Sequence, residues 1–195
     1  MKDFRDLKAF FRTTLVLLIV PSCTATQKPP VTRTIIVDPV IKKASPLAKK
    51  YARVLDVPID SIHNEKLYTF VDEWLGTPYR YGGEDTSAID CSYFAQKLYH
   101  SVYSTLLPRT AGSQFKSNEI YLFKGKQYIK EGDLLFFKLH GSRRVDHVGV
   151  YLKNNRFVHS TSRKSAKGKN GVQISLLDDP YWDRIFAAAG KVKRN

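Results

Sequence analysis

The segment 146–162, DHVGVYLKNNRFVHSTS, constrains the fold most strongly, because two β-rich runs flank the polar turn KNNR. Two such runs joined by a short turn predict an antiparallel β-hairpin. The run GDLLFF at 132–137 predicts another strand just before it. The chain is therefore predicted to contain an antiparallel sheet, in which each hairpin strand carries one histidine, His147 or His159.

The two histidines can cooperate only if they lie on the same face of that sheet. A symmetric two-residue turn at 154–155 would pair Val150 with His159 and would leave His147 on the opposite face, because side chains alternate along a strand. A shared face requires an odd loop or a β-bulge, commonly a three-residue turn with a bulge. We therefore predict a register shift in this hairpin.

Two amphipathic helices are predicted before the sheet. In NEKLYTFVDEWLG, at 64–76, apolar residues recur at three- and four-residue spacing, and Gly76 and Pro78 end the helix. In DCSYFAQKLYHSVY, at 90–103, an apolar residue recurs every fourth position, and Asp90 is a plausible N-cap. This places Cys91 in the first turn, where the positive end of the helix dipole favours a thiolate.

A thiol beside histidines has a chemical use. A histidine can take the thiol proton and later protonate a leaving amine, and a second polar residue can orient that imidazole. Structural interpretations stay open at this point, because free cysteines are common core residues and a single strand histidine is usually structural. The other histidines are less well placed: His63 lies in a linker-like region, His100 lies nine residues beyond Cys91 in the same helix, and His140 lies in a loop.

The N-terminus has a basic front followed by a short apolar run at 15–20. That run is far below the ~20 residues that span a bilayer, and the pattern predicts an export signal, with a buried N-terminal helix as the alternative. The run ends in VPSC, which resembles a lipoprotein signal. The resemblance implies that residues 1–22 are removed and that Cys23 carries the lipid. Thr24, where an aspartate would indicate inner-membrane retention, favours the outer membrane. A disulfide between Cys23 and Cys91 is the alternative for an exported chain.

Composition supports one domain with tails. The 195 residues are 43% hydrophobic, as expected for a chain with a packed core. Residues 23–63 are rich in proline, lysine and threonine and predict a lipid-anchored linker with one short helix at 46–55, so the globular catalytic domain is expected at 64–195. The net charge of +14 suits nucleic acid, an anionic membrane or an anionic envelope polymer, or simply aids solubility. No RNP-like or helix-turn-helix pattern is present, and export would separate the chain from nucleic acid, so we expect no nucleic-acid partner.

Five segments together resemble one family. GTPYRYGGEDTSAIDCS, LPRTAGSQF, GDLLFF, DHVGVYL and FVHSTS occur in the order found in the NlpC-type cell-wall cysteine peptidases, and the likeness covers about residues 67–193. The resemblance implies a papain-like α+β fold, with the cysteine helix packed against an antiparallel sheet. It also implies a Cys-His-His triad, with Cys91 as nucleophile, His147 as base and later acid, and His159 as the orienting residue.

The same resemblance assigns further residues to the site. Tyr79 matches the active-site tyrosine of the family and is expected, with Ser92 and the amide that opens the helix, to hold substrate or the developing oxyanion. Arg109, Thr110 and Gln114 match a segment that is expected to form a wall of the cleft.

Two positions depart from the family pattern and are candidate cleft-wall residues. Tyr93 replaces the usual glycine and would either narrow the site or point outward. Asp146 stands where a small residue is more familiar, and it would raise the pKa of His147 if its carboxylate turned inward.

The substrates implied by the resemblance are stem peptides or cross-links of peptidoglycan, with the bond left open. We expect neither a cofactor nor a metal, and a monomer that is anchored in the cell envelope through Cys23, at the outer membrane facing the periplasm. The alternative is a catalytically quiet lipoprotein that binds wall peptides, and Tyr93 is its only support in the sequence.

Overall fold

The computed structural model describes residues 44–163 and 170–193. The predicted signal segment, Cys23 and most of the predicted linker lie outside these residues, as does most of the basic stretch at 162–171. Within the described ranges, every helix is too short or too polar to cross a membrane.

In the described residues, four helices precede the strands of an antiparallel sheet, and a fifth helix lies between its last two strands. The helices are α1 (Pro46–Leu55), α2 (Glu65–Trp74), α3 (Cys91–Tyr103), α4 (Ala111–Phe115) and α5 (Pro180–Ile185). The strands are β1 (Ile120–Phe123), β2 (Leu134–Phe137), β3 (His147–Tyr151), β4 (Arg156–Thr161), β5 (Gly171–Leu176) and β6 (Phe186–Val192). Short 3₁₀ turns lie at Ile59–Ser61, Lys126–Tyr128 and Leu139–Gly141.

Polar caps set the starts of the three longer helices. The side chains of Ser45, Asn64 and Asp90 accept hydrogen bonds from amides in the first turns of α1, α2 and α3, which satisfies donors that have no partner inside the helix. The two helices predicted at 64–76 and from residue 91 are both confirmed.

The six strands form one sheet in the order β1-β6-β2-β3-β4-β5, with every neighbouring pair antiparallel. Alternation along β2 gives the sheet two buried faces. Phe136 belongs to the large core that includes α1, α2 and α3, whereas Phe137 belongs to a second core with Trp182 of α5. The sheet is thus covered by helices on both faces, which explains why β2 is buried along its whole length.

The hairpin of β3 and β4 contains the predicted register shift. Val150 pairs with Val158, and Arg156 faces two residues, because it accepts a hydrogen bond from the Leu152 amide and donates one to the Lys153 carbonyl, both at 2.9 Å. Two residues opposite one is a β-bulge. The asparagines at 154 and 155 form the turn with φ values of 48° and 56°. The bulge places both histidines on the face that carries Trp182.

Helix α1 forms at the predicted residues, yet it is part of the packed domain. Tyr51 and Leu55 are completely buried in the large core. The side-chain amide of Asn154, in the hairpin turn, donates to the carbonyls of Leu55 at 2.9 Å and Asp56 at 3.0 Å. The domain start expected at residue 64 therefore lies too far along the chain, because the apolar face of α1 needs the core to bury it.

Candidate active site

Cys91 is a free thiol at the start of α3, and its side chain is 7% exposed. The Asp90 carboxylate caps the helix through the Tyr93 amide at 2.8 Å. The backbone amides of Cys91 itself, Ser92 and Val148 lie beside the thiol and act to lower its pKa. Since Val148 follows His147 in β3, this contact brings the cysteine to the start of the strand that carries the first histidine.

A side chain beside the second histidine holds the segment that leads to Cys91. The hydroxyl of Ser160, the residue after His159, donates to the carbonyl of Ile89 at 2.7 Å, and both residues are completely buried. The loop that precedes Cys91 is therefore hydrogen-bonded directly to β4.

The two histidines are in contact with each other. Nε2 of His147 lies 2.7 Å from Nδ1 of His159, and Nε2 of His159 lies 3.0 Å from the Ser175 hydroxyl. Sequence analysis missed Ser175. In the structure Ser175 pairs with Phe157, two residues before His159. The alternation of apolar and polar residues in GVQISL, at 171–176, could have indicated strand β5, but not its register against β4.

Aromatic rings enclose this histidine pair. Phe137 and Trp182 lie against His147, and Phe157 and Trp182 lie against His159, with ring centroids 4.6–5.8 Å apart. Burial in this apolar surrounding lowers the pKa of His147 to about 3. Burial, followed by the neighbouring His147, also lowers the pKa of His159 well below its ordinary value. Both imidazoles are therefore neutral at pH 7.

Burial acts on the thiol in the opposite sense. The pKa of Cys91 is raised to about 12 overall, because burial and the Asp90 carboxylate raise it by more than the three amides lower it. The amides at the helix start favour the thiolate, as expected, but in the resting site burial outweighs them, because the cost of burying a lone charge exceeds their effect.

Cys91 opens into a cleft of about 910 Å³. Tyr79, Ser92, Arg109 and Asp146 are among its lining residues, so the structure brings these predicted residues together. His147 and His159 are 2% and 0% exposed and do not line the cleft. His63 and His100 are exposed and lie outside it.

Tyr79 lies near the thiol. Burial, followed by charge on Cys91 and Asp90, raises the pKa of Tyr79 to about 12. The phenol is therefore protonated at neutral pH and can donate a hydrogen bond.

Arg109 connects the cleft wall to the start of α3. Its guanidinium pairs with Asp90 and Glu84, each at 2.8 Å, and donates to the Ser92 hydroxyl at 3.1 Å. Burial would raise the pKa of Asp90, but the bonds from Arg109, the Tyr93 amide and Ser92 hold it below its ordinary value. The helix cap is therefore a charged carboxylate.

Tyr93 does not line the cleft, which corrects its assignment as a wall residue. It lies two positions after Cys91, and two helical residues correspond to a rotation of about 200°. Its half-buried ring packs against the core, and the Arg109 guanidinium carbon lies 4.9 Å from its centroid.

Three other predicted wall residues have backbone partners. Asp146 lines the cleft, and its carboxylate accepts a hydrogen bond from the Leu139 amide at 2.7 Å. Gln114 is fully buried and donates to the carbonyls of Ser92 and Pro108. Thr110 lines the cleft and caps α4 through the Ser113 amide.

In residues 44–163 and 170–193 there is no group of three or more His, Cys, Asp or Glu residues that could hold a metal ion.

Several known proteins resemble this chain in sequence. It is 37% identical over 130 residues to a probable endopeptidase NlpC homolog of Haemophilus influenzae, a match that covers 66% of this chain and 63% of that protein. It is 33% identical over 120 residues to the Escherichia coli K12 protein named murein DD-endopeptidase MepS/murein LD-carboxypeptidase, covering 62% of this chain and 58% of that one. The chain thus spans less than two thirds of the length of these relatives.

Solved structures of other proteins also resemble this chain. An NlpC/P60 family protein from Bacillus cereus has 26% identity and a TM-score of 0.55, over 68% of this chain and 40% of that one. A Staphylococcus aureus protein described as similar to lipoprotein, NLP/P60 family, has 27% identity and a TM-score of 0.57, over 67% of this chain and 41% of its own. These likenesses confirm the predicted papain-like α+β fold. Residues 76–191, more than half of the chain, match the sequence profile of the NlpC/P60 family, and the protein belongs to that family, as its ordered motifs predicted.

Proposed function

We propose that this protein is a cysteine peptidase that hydrolyses peptide bonds in peptidoglycan stem peptides or cross-links. The observation that carries the proposal is the buried, hydrogen-bonded pair of His147 and His159. His147 directly precedes Val148, whose amide lies near enough to the Cys91 thiol to lower its pKa. The relatives named as endopeptidases support the reaction class, and the murein enzyme supports the substrate class.

In the proposed reaction, the Cys91 sulfur attacks the carbonyl carbon of the scissile bond while its proton passes to His147. Nε2 of His147 is occupied by His159, so Nδ1 is the atom that accepts this proton. The C–N bond then breaks, His147 protonates the leaving amine, and an acyl-enzyme remains on Cys91. Water, deprotonated by His147, attacks the thioester, which releases the carboxylate product and restores the thiol.

The high pKa of the thiol and the low pKa of the imidazole fit this sequence of steps. Each charge alone is disfavoured by burial, but the transfer of one proton creates both charges together, and they attract each other in a medium of low polarity. The proton transfer therefore coincides with attack on the substrate. The Tyr79 phenol and the first amides of α3 are the candidate donors to the oxyanion.

The test is digestion of purified peptidoglycan by the full chain purified in detergent, with mass spectrometry of the released fragments. Products that depend on Cys91 are expected, and their masses identify the bond. Cys91→Ala is the inactive variant. His100→Gln, on the exposed side of the same helix, is the matched control that retains activity. A folded wild-type protein that releases no fragment from several wall chemistries would contradict the proposal.

We also propose that lipidated Cys23 anchors the protein at the outer membrane facing the periplasm. The support is the basic front, the short apolar run and the VPSC sequence. The test is the intact mass of the native protein and its fractionation between membranes. An acylated N-terminus at residue 23 in the outer-membrane fraction is expected, and a soluble protein that starts at Met1 would contradict the proposal.

A further inference from the structure

The cleft beside Cys91 has two walls that differ in how their charges are satisfied. On one wall, Arg109 is paired with Glu84 and Asp90. One cation therefore faces two carboxylates that hold it in place. This wall offers little free positive charge to a ligand.

A second wall of the cleft, formed by other lining residues, carries unpaired positive charge. Its exposed cations come from three places in the chain: Lys116 follows α4, Lys138 follows β2, and Arg143 and Arg144 lie in the loop before β3. Among the residues that the structure describes, none of these four cations has an ion-pair partner. The acid on this side, Asp146, accepts a hydrogen bond from a backbone amide. Four cations against one carboxylate leave an excess of positive charge over the cleft.

This excess of positive charge differs from an ordinary basic surface in solvent, because the charges surround one cavity. Like charges repel, so their convergence around one cavity opposes folding slightly and is relieved when an anion binds. Cleft walls of low polarity strengthen the field that such charges produce inside. Arginine guanidinium groups bind carboxylates in a two-pronged geometry, and lysine ammonium groups act as mobile point charges. The chemistry of this wall therefore fits a ligand with more than one free carboxylate.

We propose that the wall formed by Lys116, Lys138, Arg143 and Arg144 selects stem peptides whose side carboxyl groups are free over those in which they are amidated. A γ-linked glutamate leaves its α-carboxylate free, and a diamino dicarboxylic acid linked through one carboxyl group leaves the other free. Conversion to a carboxamide removes the charge with little change in shape, so the cleft distinguishes the two by electrostatics. This inference rests on the proposed function and adds the substrate class.

The experiment compares two cross-linked muropeptide dimers that differ only in whether these carboxyl groups are free or amidated. For the full chain in detergent, kcat/KM is expected to be at least about tenfold higher for the free-carboxylate dimer, since hydrogen bonds to charged groups exceed neutral ones by this order. The ratio of kcat/KM for the free-carboxylate dimer to that for the amidated dimer is expected to fall as the salt concentration is raised. The double variant Arg143→Gln with Arg144→Gln is expected to reduce this kcat/KM ratio to about threefold or less. Lys66→Gln with Lys191→Gln removes the same charge from exposed positions outside the cleft and is expected to leave it unchanged.

A binding measurement separates this inference from the proposed reaction. Calorimetry with the Cys91→Ala variant is expected to show tighter binding of the free-carboxylate dimer. Cysteine-dependent cleavage of both dimers at equal kcat/KM, or equal binding, would overturn the selectivity while leaving the peptidase intact. Selective binding without any cleavage by the wild type would support the selectivity and contradict the peptidase.

Discussion

Nε2 of His147 and Nδ1 of His159 lie 2.7 Å apart, a distance at which one ring must donate and the other must accept. If His147 donates, its Nδ1 is left unprotonated and ready for the thiol proton, and His159 is left to donate from Nε2 to the Ser175 hydroxyl at 3.0 Å. The three residues thus form one line of hydrogen bonds that fixes the tautomer and the orientation of the base.

Replacement of the second histidine is expected to disable the base without removing it. His159→Ala leaves His147 free to adopt the wrong tautomer, so kcat/KM on peptidoglycan fragments should fall on the order of 100- to 10,000-fold, the range of general acid–base effects. Steady-state kinetics with a circular dichroism check of the fold is the measurement. His159→Asn, which keeps a polar partner, should recover part of the loss. Full activity in His159→Ala would exclude the orienting role.

Ser175 is expected to act through His159. Ser175→Ala removes one hydrogen bond and should lower kcat/KM about 3- to 10-fold, as expected for the net contribution of one bond. It should also shift the pH–rate profile, which a purely structural effect would leave in place. Ser101→Ala, at an exposed position of α3, is the control. An unchanged pH profile in Ser175→Ala would show that the line of hydrogen bonds ends at His159.

The Cys91 thiol is expected to react slowly with small alkylating agents at neutral pH. Burial raises its pKa to about 12, so the thiolate is scarce below pH 9 in the free enzyme. The rate of iodoacetamide modification should rise steeply with pH above 9, as followed by intact-protein mass spectrometry. Rapid modification at pH 6 that disappears in His147→Ala would contradict the neutral resting pair, because it would reveal a preformed thiolate–imidazolium pair.

Stability is expected to fall in mild acid because two histidines are buried as neutral rings. The pKa of His147 is about 3 in the folded protein, below its ordinary value near 6.5, so between these values the unfolded chain binds more protons. Stability is therefore fully present above about pH 6.5 and declines as pH falls toward 3, by about 1.4 kcal/mol per pH unit for each such histidine. Urea unfolding at pH 7 and pH 5 measures the decline.

The control for that measurement removes the titrating groups. His147→Gln with His159→Gln should have a smaller difference in unfolding free energy between pH 7 and pH 5 than the wild type. His100→Gln, which is exposed, should behave as the wild type. An equal decline in the double variant would assign the acid sensitivity to other groups.

Local patterns in the sequence were sufficient to predict the two helices and the hairpin, because caps, periodicity and turn residues act over a few positions. The bulge in the hairpin was predicted from the requirement that His147 and His159 share a face, and the Arg156 hydrogen bonds confirm it. The family and the fold were predicted from the order of five motifs, which single motifs would not have supported.

Features that depend on distant contacts were not predictable in this way. The place of α1 in the core depends on partners such as Asn154, about 100 residues along the chain. The contact of Ser175 with His159 depends on the register of β5 against β4. The alternation in GVQISL indicates a strand, but it does not reveal which strand lies beside it. The direction of the Cys91 pKa shift depends on how completely the thiol is buried, which local spacing does not reveal.

Tyr93, at the position where the family usually has glycine, is expected to stabilise the fold without limiting the reaction. Tyr93→Gly places glycine in a helix and removes the ring beneath Arg109, so the free energy of unfolding should fall by about 1–2 kcal/mol. Because Tyr93 does not line the cleft, kcat/KM should stay within about twofold of the wild type at 25 °C. Tyr93→Phe keeps the ring and should retain both stability and activity. A large gain of activity in Tyr93→Gly, with Tyr93→Phe unchanged, would show instead that the ring obstructs substrate in solution.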